Sequence, residues 1–188
     1  MKPALISKSS IPSLLALVLS LSMAGSALAA EEGGPGYHHL KVDPAIKDKV
    51  DAKTAAELGK FFHSAEVAIA AGDLEKLMGL YSENYRNEEH DKNAARQIWS
   101  RMFGAFSDMA TMHNMSVKNV SQDGKTAFVA CSGMLLGKKR DGGVRGVVDT
   151  WTNEEHVLTL ENGQWKLIGT AGQKRKRLWF DKPMHPLF

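Results

Sequence analysis

The segment Glu83–Asp91 carries the densest set of reactive side-chain types in the chain, with four acidic residues, a histidine and a tyrosine in nine positions. Carboxylates and imidazoles bind divalent metals and act as general acids and bases. A metal site would require the carboxylates and His90 to converge, which consecutive positions do not ensure. Asp91 precedes the apolar run Ala94–Trp99 and suits a helix N-cap. We therefore interpret the segment as a junction leading into a helix and predict no metal there.

A second group of reactive side chains follows much later in the chain. Strand alternation places Asp149 and Trp151 on one face, so both point into a cavity or both lie on the outer face or at a dimer contact. An inward aspartate in apolar surroundings has the raised pKa that a general base needs. His156 shares a face with Leu158 and is either a second proton carrier or a satisfied structural histidine. Asp149 and His156 are thus the candidate catalytic residues.

Two further groups resemble metal ligands. Met112, His113 and Met115 are of the soft-ligand types that hold copper(I), but methionine also fills irregular gaps at a junction between a helix and a strand, and we favour that interpretation. His38 and His39 lie in a Gly-rich arm, where paired histidines are usually incidental. We predict no metal site at either place.

Cys131 is the only cysteine, so no intrachain disulfide can form. It ends the apolar run Ala127–Cys131, which favours a buried, inert thiol. The chain contains no haem-attachment, phosphate-loop, dinucleotide, H-E-x-x-H or G-x-S-x-G motif. We accordingly predict no cofactor and no nucleic-acid partner.

The ends of the chain predict export. Residues 1–30 have a basic start, an apolar centre and small residues at the end, the order of a cleavable signal peptide. Residues 31–51 form a Gly-rich lead-in that we expect to be flexible. The domain then covers 52–172, followed by a basic and apolar tail at 173–188. The predicted product is a periplasmic or secreted protein with no transmembrane span after signal removal.

The apolar periodicity predicts three helices followed by strands. Apolar residues recur at helical spacing from Ala52 onward, Gly72-Asp73 interrupts them, and a second helix continues to Tyr81. A third helix has the apolar stripe Ala94, Ile98, Trp99, Met102, Phe103 and Phe106. Strands are predicted at 115–120, 126–136, 144–151, 155–160 and 164–170, with turns between them. This order indicates an α+β fold in which three N-terminal helices cover one face of a curved antiparallel sheet.

Three stretches resemble the NTF2-like superfamily, which includes SnoaL-like cyclases and ketosteroid isomerase. They are Ala68–Tyr81, with its apolar helix, Gly-Asp break and tyrosine-ending second helix, Asp123–Val129 as a first hairpin, and Glu161–Ile168 as a last hairpin. The resemblance implies a cone with a cavity between the helices and the sheet. The isomerases use an aspartate base with a tyrosine and a protonated acid at the oxyanion, but these have no position-by-position counterpart here.

The implied cavity sets the functional hypotheses. The helix junction would lie near its mouth, so Tyr85 and His90 are candidates for gating a ligand, and Trp99 and Trp151 complete the ligand-binding candidates. Our leading hypothesis is a non-catalytic module that binds a small apolar or amphipathic molecule. The alternatives are an isomerase, cyclase or dehydratase, and an assembly module that forms a homodimer through the outer face of the sheet and docks by its tail.

Overall fold

The structure is a computed structural model that describes residues 37–87 and 89–171, with side chains described from Leu40 onward. The predicted signal peptide and the tail at 173–188 lie outside these residues, as do the side chains of His38 and His39. Those predictions therefore stay predictions. No helix within the described residues is long and apolar enough to cross a membrane.

The fold consists of three helices and seven strands within the described residues. The helices are α1 (Ala52–Ala71), α2 (Leu74–Gly79) and α3 (Lys92–Ala105). The strands are β1 (Tyr37–Val42), β2 (Arg86–Asn87), β3 (His90–Asp91), β4 (Phe106–Val120), β5 (Thr126–Lys139), β6 (Gly146–Glu161) and β7 (Gln164–Ala171). Five strands form one sheet in the order β1-β4-β5-β6-β7, and β2 pairs with β3. The predicted α+β fold, with helices on a curved and mostly antiparallel sheet, is confirmed.

Aspartate caps begin the three helices. The side chains of Asp51, Asp73 and Asp91 accept hydrogen bonds from backbone N–H groups three residues later, at 2.8, 3.0 and 2.9 Å. Such caps satisfy amides that have no partner within the helix. Gly72 ends α1 in the left-handed conformation (φ 65°), so the predicted break at Gly72-Asp73 is confirmed.

The described part of the lead-in is regular. Strand β1 pairs in parallel with β4 from Tyr37 opposite Met112 to Val42 opposite Val117. A 3-10 helix then spans Pro44–Lys49 and is capped by Asp43. The open edge of β4 thus supplies backbone hydrogen-bond partners to residues 37–42, and the flexibility expected for 31–51 stays a prediction.

Two strand predictions need correction. Strand β4 begins at Phe106, which was predicted to end α3, and not at Met115. Strand β6 is one strand of 16 residues where two were predicted. Each strand contains a residue with positive φ, Asp108 (49°) in β4 and Asn153 (53°) in β6. The pairing with β5 shifts in register at that residue, and the strand continues on both sides of it.

The bulge at Asn153 decides which side chains of β6 face inward. In an uninterrupted strand, Trp151 and His156 would point to opposite faces. Between the pairs Trp151–Gly133 and Glu154–Cys131, two residues of β6 (152 and 153) lie opposite one of β5 (132), so one extra residue reverses the alternation. The N–H of Asn153 donates to Ser132 Oγ at 2.8 Å and holds the bulge. Trp151 and His156 are consequently both buried, at 3% and 0% exposure.

Candidate functional site

A buried polar cluster lies between α1 and the inner face of the sheet. Glu66 on α1 is 3% exposed, and one of its carboxylate oxygens lies 2.6 Å from Nε2 of His113 on β4. Helical spacing places Glu66 beside the buried residues Phe62 and Ile69. Buried carboxylates are rare unless they are paired, and here the imidazole is the partner.

The second ring nitrogen of His113 faces a thiol. Cys131 Sγ lies 3.4 Å from His113 Nδ1, and the indole N–H of Trp151 donates to the same sulfur at 3.0 Å. Because a carboxylate only accepts, Nε2 carries the ring proton and Nδ1 is the acceptor for the S–H group. The three hydrogen bonds therefore form a chain: Trp151 donates to Cys131, Cys131 donates to His113, and His113 donates to Glu66.

Strand register brings these side chains together. His113, Gly133 and Trp151 occupy one row across β4, β5 and β6. Because Gly133 has no side chain, the rings of His113 and Trp151 face each other over it, with centroids 6.2 Å apart and nearly perpendicular. A Cβ at Gly133 would lie 2.4 Å from the carbonyl oxygen of Met112 and 2.5 Å from Cβ of His113. The row therefore requires glycine at this position.

Two residues lie at the edges of the cluster. His63 Nδ1 is 3.6 Å from the other oxygen of Glu66, and its side chain is 30% exposed. Thr111, two residues before His113 on the same inner face, is 0% exposed, and its hydroxyl has no hydrogen-bond partner among the described residues. A buried hydroxyl without a partner costs free energy and calls for a ligand or water partner.

The predicted catalytic candidates both face inward. Asp149 is 7% exposed and pairs with the buried Leu135, while Thr150 beside it is exposed. His156 pairs with the buried Val129, and its ring lies 5.7 Å from that of Phe62. The alternative that Asp149 lies on the outer face is wrong. The proposed catalytic roles of both residues stay predictions.

The predicted ligand-binding residues fall into separate places. Trp151 belongs to the buried cluster. The indole N–H of Trp99 donates to the Tyr81 hydroxyl at 2.9 Å, and Tyr81 packs edge-to-face on Tyr85 at 4.8 Å. Tyr85 is 1% exposed, whereas His90 is half-buried in the β2–β3 hairpin. Their roles in gating or lining a cavity stay predictions.

The geometry does not favour the metal interpretations. Met112 is 43% exposed whereas Met115 is 2% exposed, because alternation directs them to opposite faces. Within residues 37–87 and 89–171, no group of three or more His, Cys, Asp or Glu side chains is placed to hold a metal ion. In the acidic segment, Asp91 caps α3 and Glu83 pairs with Lys92 at 2.7 Å.

Sequence reasoning missed Glu66 altogether and treated Cys131 as inert. Cys131 is buried, as expected, but it contacts both His113 and Trp151. Local sequence offers no signal for these contacts, because they join residues 18 to 47 positions apart on different elements.

No family model and no curated protein matches the chain. Solved structures do match. A protein from Novosphingobium aromaticivorans, provisionally described as an aromatic ring hydroxylase, is similar at 14% identity over 64% of this chain and 88% of its own, with a TM-score of 0.55.

Two others extend this similarity. A provisional dehydratase of the NTF2-like family from Streptomyces avermitilis has 12% identity, coverage of 64% and 95%, and a TM-score of 0.51. A type 2 hexachlorocyclohexane dehydrochlorinase has 11% identity, coverage of 70% and 89%, and a TM-score of 0.52. At such identities the similarity concerns the fold alone. The resemblance to NTF2-like proteins inferred from the sequence is confirmed at that level.

Proposed function

We propose that the protein binds a small, largely apolar molecule between α1 and the sheet and catalyses proton transfer on it, either an isomerisation or an elimination. His113 is the base, and Glu66 orients it. The observation that carries this proposal is the 2.6 Å contact between Glu66 and His113 Nε2, with both side chains buried.

The cost of burying this pair supports a functional role. Removing two ionisable groups from water costs several kcal/mol per ion, and apolar replacements of similar volume are often as stable or more stable. Stability alone therefore gives little reason to keep the Glu66–His113 pair in the interior.

The proton positions fit general base catalysis. Glu66 holds the proton on Nε2, so the lone pair of Nδ1 faces Cys131 and accepts its S–H group. A thiol is a weak hydrogen-bond donor, and a ligand can take its place at Nδ1. His113 would then remove a proton from an acidic C–H group, and Glu66 would stabilise the resulting imidazolium. The electron pair of the C–H bond moves toward a carbonyl group or expels a β-leaving group.

In the proposed complex, the hydroxyl group of Thr111 donates a hydrogen bond to an oxygen of the ligand. Its hydroxyl has no hydrogen-bond partner among the described residues and lies two residues from His113 on the same inner face. A carbonyl or hydroxyl oxygen bound there would satisfy that group. Elimination is included because two solved structures with this fold are described as a dehydratase and a dehydrochlorinase.

Deuterium exchange in D2O tests the proposal without a known substrate. Protein is incubated with a panel of cyclic ketones and β-hydroxy ketones, and loss of the α-proton is followed by NMR. We expect His113→Gln to lower the exchange rate by about 10²- to 10⁴-fold, and Glu66→Gln to lower it by less. Glu155→Gln, a half-buried carboxylate on β6, is the matched control. A folded His113→Gln variant that retains full exchange would refute the assignment, whereas loss in His156→Gln alone would transfer the role to His156.

A non-catalytic carrier is the second candidate. Both nitrogens of His113 already have partners, which is the arrangement of a satisfied structural histidine. Native mass spectrometry of protein isolated from its own host, followed by ligand extraction, separates the two functions. A bound molecule that is recovered unchanged, with no exchange activity on it, supports the carrier.

A further inference from the structure

A groove that shares no lining residue with the buried polar cluster is a separate candidate site. It lies between one face of α1 and the start of β7, has a volume of about 430 Å³, and is lined by Glu57, Lys60, Phe61, Ser64, Leu80, Gly163, Gln164, Trp165 and Lys166. This volume lies within the range of small-molecule sites. We propose that the groove binds a small aromatic carboxylate.

The floor of the groove is aromatic and fixed in place. Phe61 and Trp165 line the groove and are 5% and 6% exposed, so most of each side chain is packed against its neighbours. The indole N–H of Trp165 donates to Glu57 Oε2 at 3.3 Å. Leu80 is held against β7 because its carbonyl accepts from the N–H of Leu167 at 2.8 Å. The walls are therefore preformed and suit a flat apolar ring.

The charges at the rim favour an anion. Glu57, the only acid among the described lining residues, is engaged by Trp165 and by Lys53, whose Nζ lies 3.8 Å from Glu57 Oε1. Lys60 is exposed and makes no ion pair with any residue that the structure describes. Lys166 adds a second positive charge, although its ammonium group also donates to the carbonyl of Gly79. A ligand carboxylate thus finds one ammonium group uncommitted and a second nearby.

Titration with 2-naphthoate, followed by the indole N–H signals in ¹⁵N–¹H NMR spectra, tests the inference. The Trp165 signal is assigned by its loss in Trp165→Phe. We expect this signal to shift saturably in the millimolar range or below, with binding weakened about two- to fivefold in Lys60→Gln, the magnitude of one exposed ion pair. The neutral analogue 2-naphthalenemethanol should bind more weakly by a similar factor. Ser64→Phe, which fills the groove, should abolish the shift.

Lys125→Gln is the matched control, because Lys125 is an exposed lysine in the β4–β5 turn and is not part of the lining. Equal weakening in Lys60→Gln and Lys125→Gln would show that overall charge, not the groove, attracts the anion. A shift of the Trp151 signal in place of Trp165 would place the ligand in the cone. Either result, or the absence of any saturable shift, would overturn the inference and leave the proposed function of the cone untouched.

Discussion

At the scale of single residues, the site depends on a position with no side chain. Gly133 separates His113 from Trp151 and allows Cys131 to contact both. A methyl group there would meet backbone atoms, which cannot move aside as a flexible side chain can. The geometry of the polar cluster is therefore coupled to the stability of the sheet.

We expect Gly133→Ala to lower the free energy of unfolding by about 1–3 kcal/mol, the usual cost of overpacking. Gly104→Ala on α3 is the control, because its added Cβ would meet nothing within 4 Å, and alanine favours a helix by about 0.5–1 kcal/mol. Urea denaturation of the two variants measures both. Equal stability of Gly133→Ala and the native protein would show that β4 and β5 are not as close as described.

Thr111→Val should stabilise the ligand-free protein by up to about 1 kcal/mol, because it removes a buried hydroxyl without a described partner at nearly constant volume. The same change should slow proton exchange on oxygen-bearing ligands, since their hydrogen-bond donor is lost. Thermal unfolding and the exchange assay give the two readouts, with Thr159→Val on β6 as a control. A destabilised Thr111→Val variant would mean that the hydroxyl has a partner in the free protein.

At the scale of elements, helix positions were predictable and strand details were not. The caps Asp51, Asp73 and Asp91 and the break at Gly72 are local signals, because the residues that form them lie within a few positions of each other. The bulge at Asn153 depends on the pairing of β6 with β5, and no local pattern marks it. Sequence alternation left the face of Trp151 open and placed His156 beside Leu158, and it gave no sign of the bulge that buries both side chains.

The bulge can be tested directly. Asn153 has φ of 53°, a conformation that glycine and asparagine tolerate and β-branched residues do not. We expect Asn153→Gly to retain stability and Asn153→Val to lose about 1–2 kcal/mol. Chemical denaturation measures the loss, and near-ultraviolet circular dichroism reports on Trp151. If Asn153→Val were as stable as Asn153→Gly, the reversal of alternation would not depend on this residue.

At the scale of the whole molecule, the described surface carboxylates predict how stability depends on pH. Hydrogen bonds from the backbone N–H groups of Thr54 and Lys76 hold the pKa values of Asp51 and Asp73, respectively, below the usual range of an aspartate. Groups with a lower pKa in the folded state stabilise it fully above the unfolded pKa, and this contribution is lost as pH falls through the folded pKa.

We therefore expect the free energy of unfolding to fall as pH decreases from about 5 toward 3. The double variant Asp51→Asn/Asp73→Asn should show a flatter dependence over this range, because two of the contributing carboxylates are gone. Urea titrations at a series of pH values measure both curves. Parallel curves for the two proteins would contradict the assigned role of these caps.

The fold could be predicted from the order of the helices and strands, whereas the buried polar cluster could not. Three helices followed by hairpins predict helices on one sheet, since short connections join neighbouring elements. The contact between Glu66 and His113 depends on how α1 crosses β4, which no short motif encodes. A homodimer through the outer face of the sheet stays a prediction that light scattering can test.

The double variant Glu66→Leu/His113→Leu tests the central claim most directly, with stability and proton exchange measured on the same sample. If the pair is kept for chemistry, the variant should be folded, at least as stable as the native protein within about 1 kcal/mol, and inactive in exchange. Each single leucine variant should lose about 3–5 kcal/mol, because one ionisable group is left buried without its partner. A stable double variant that still exchanges the α-protons, or a pair whose joint removal unfolds the protein, would contradict the account.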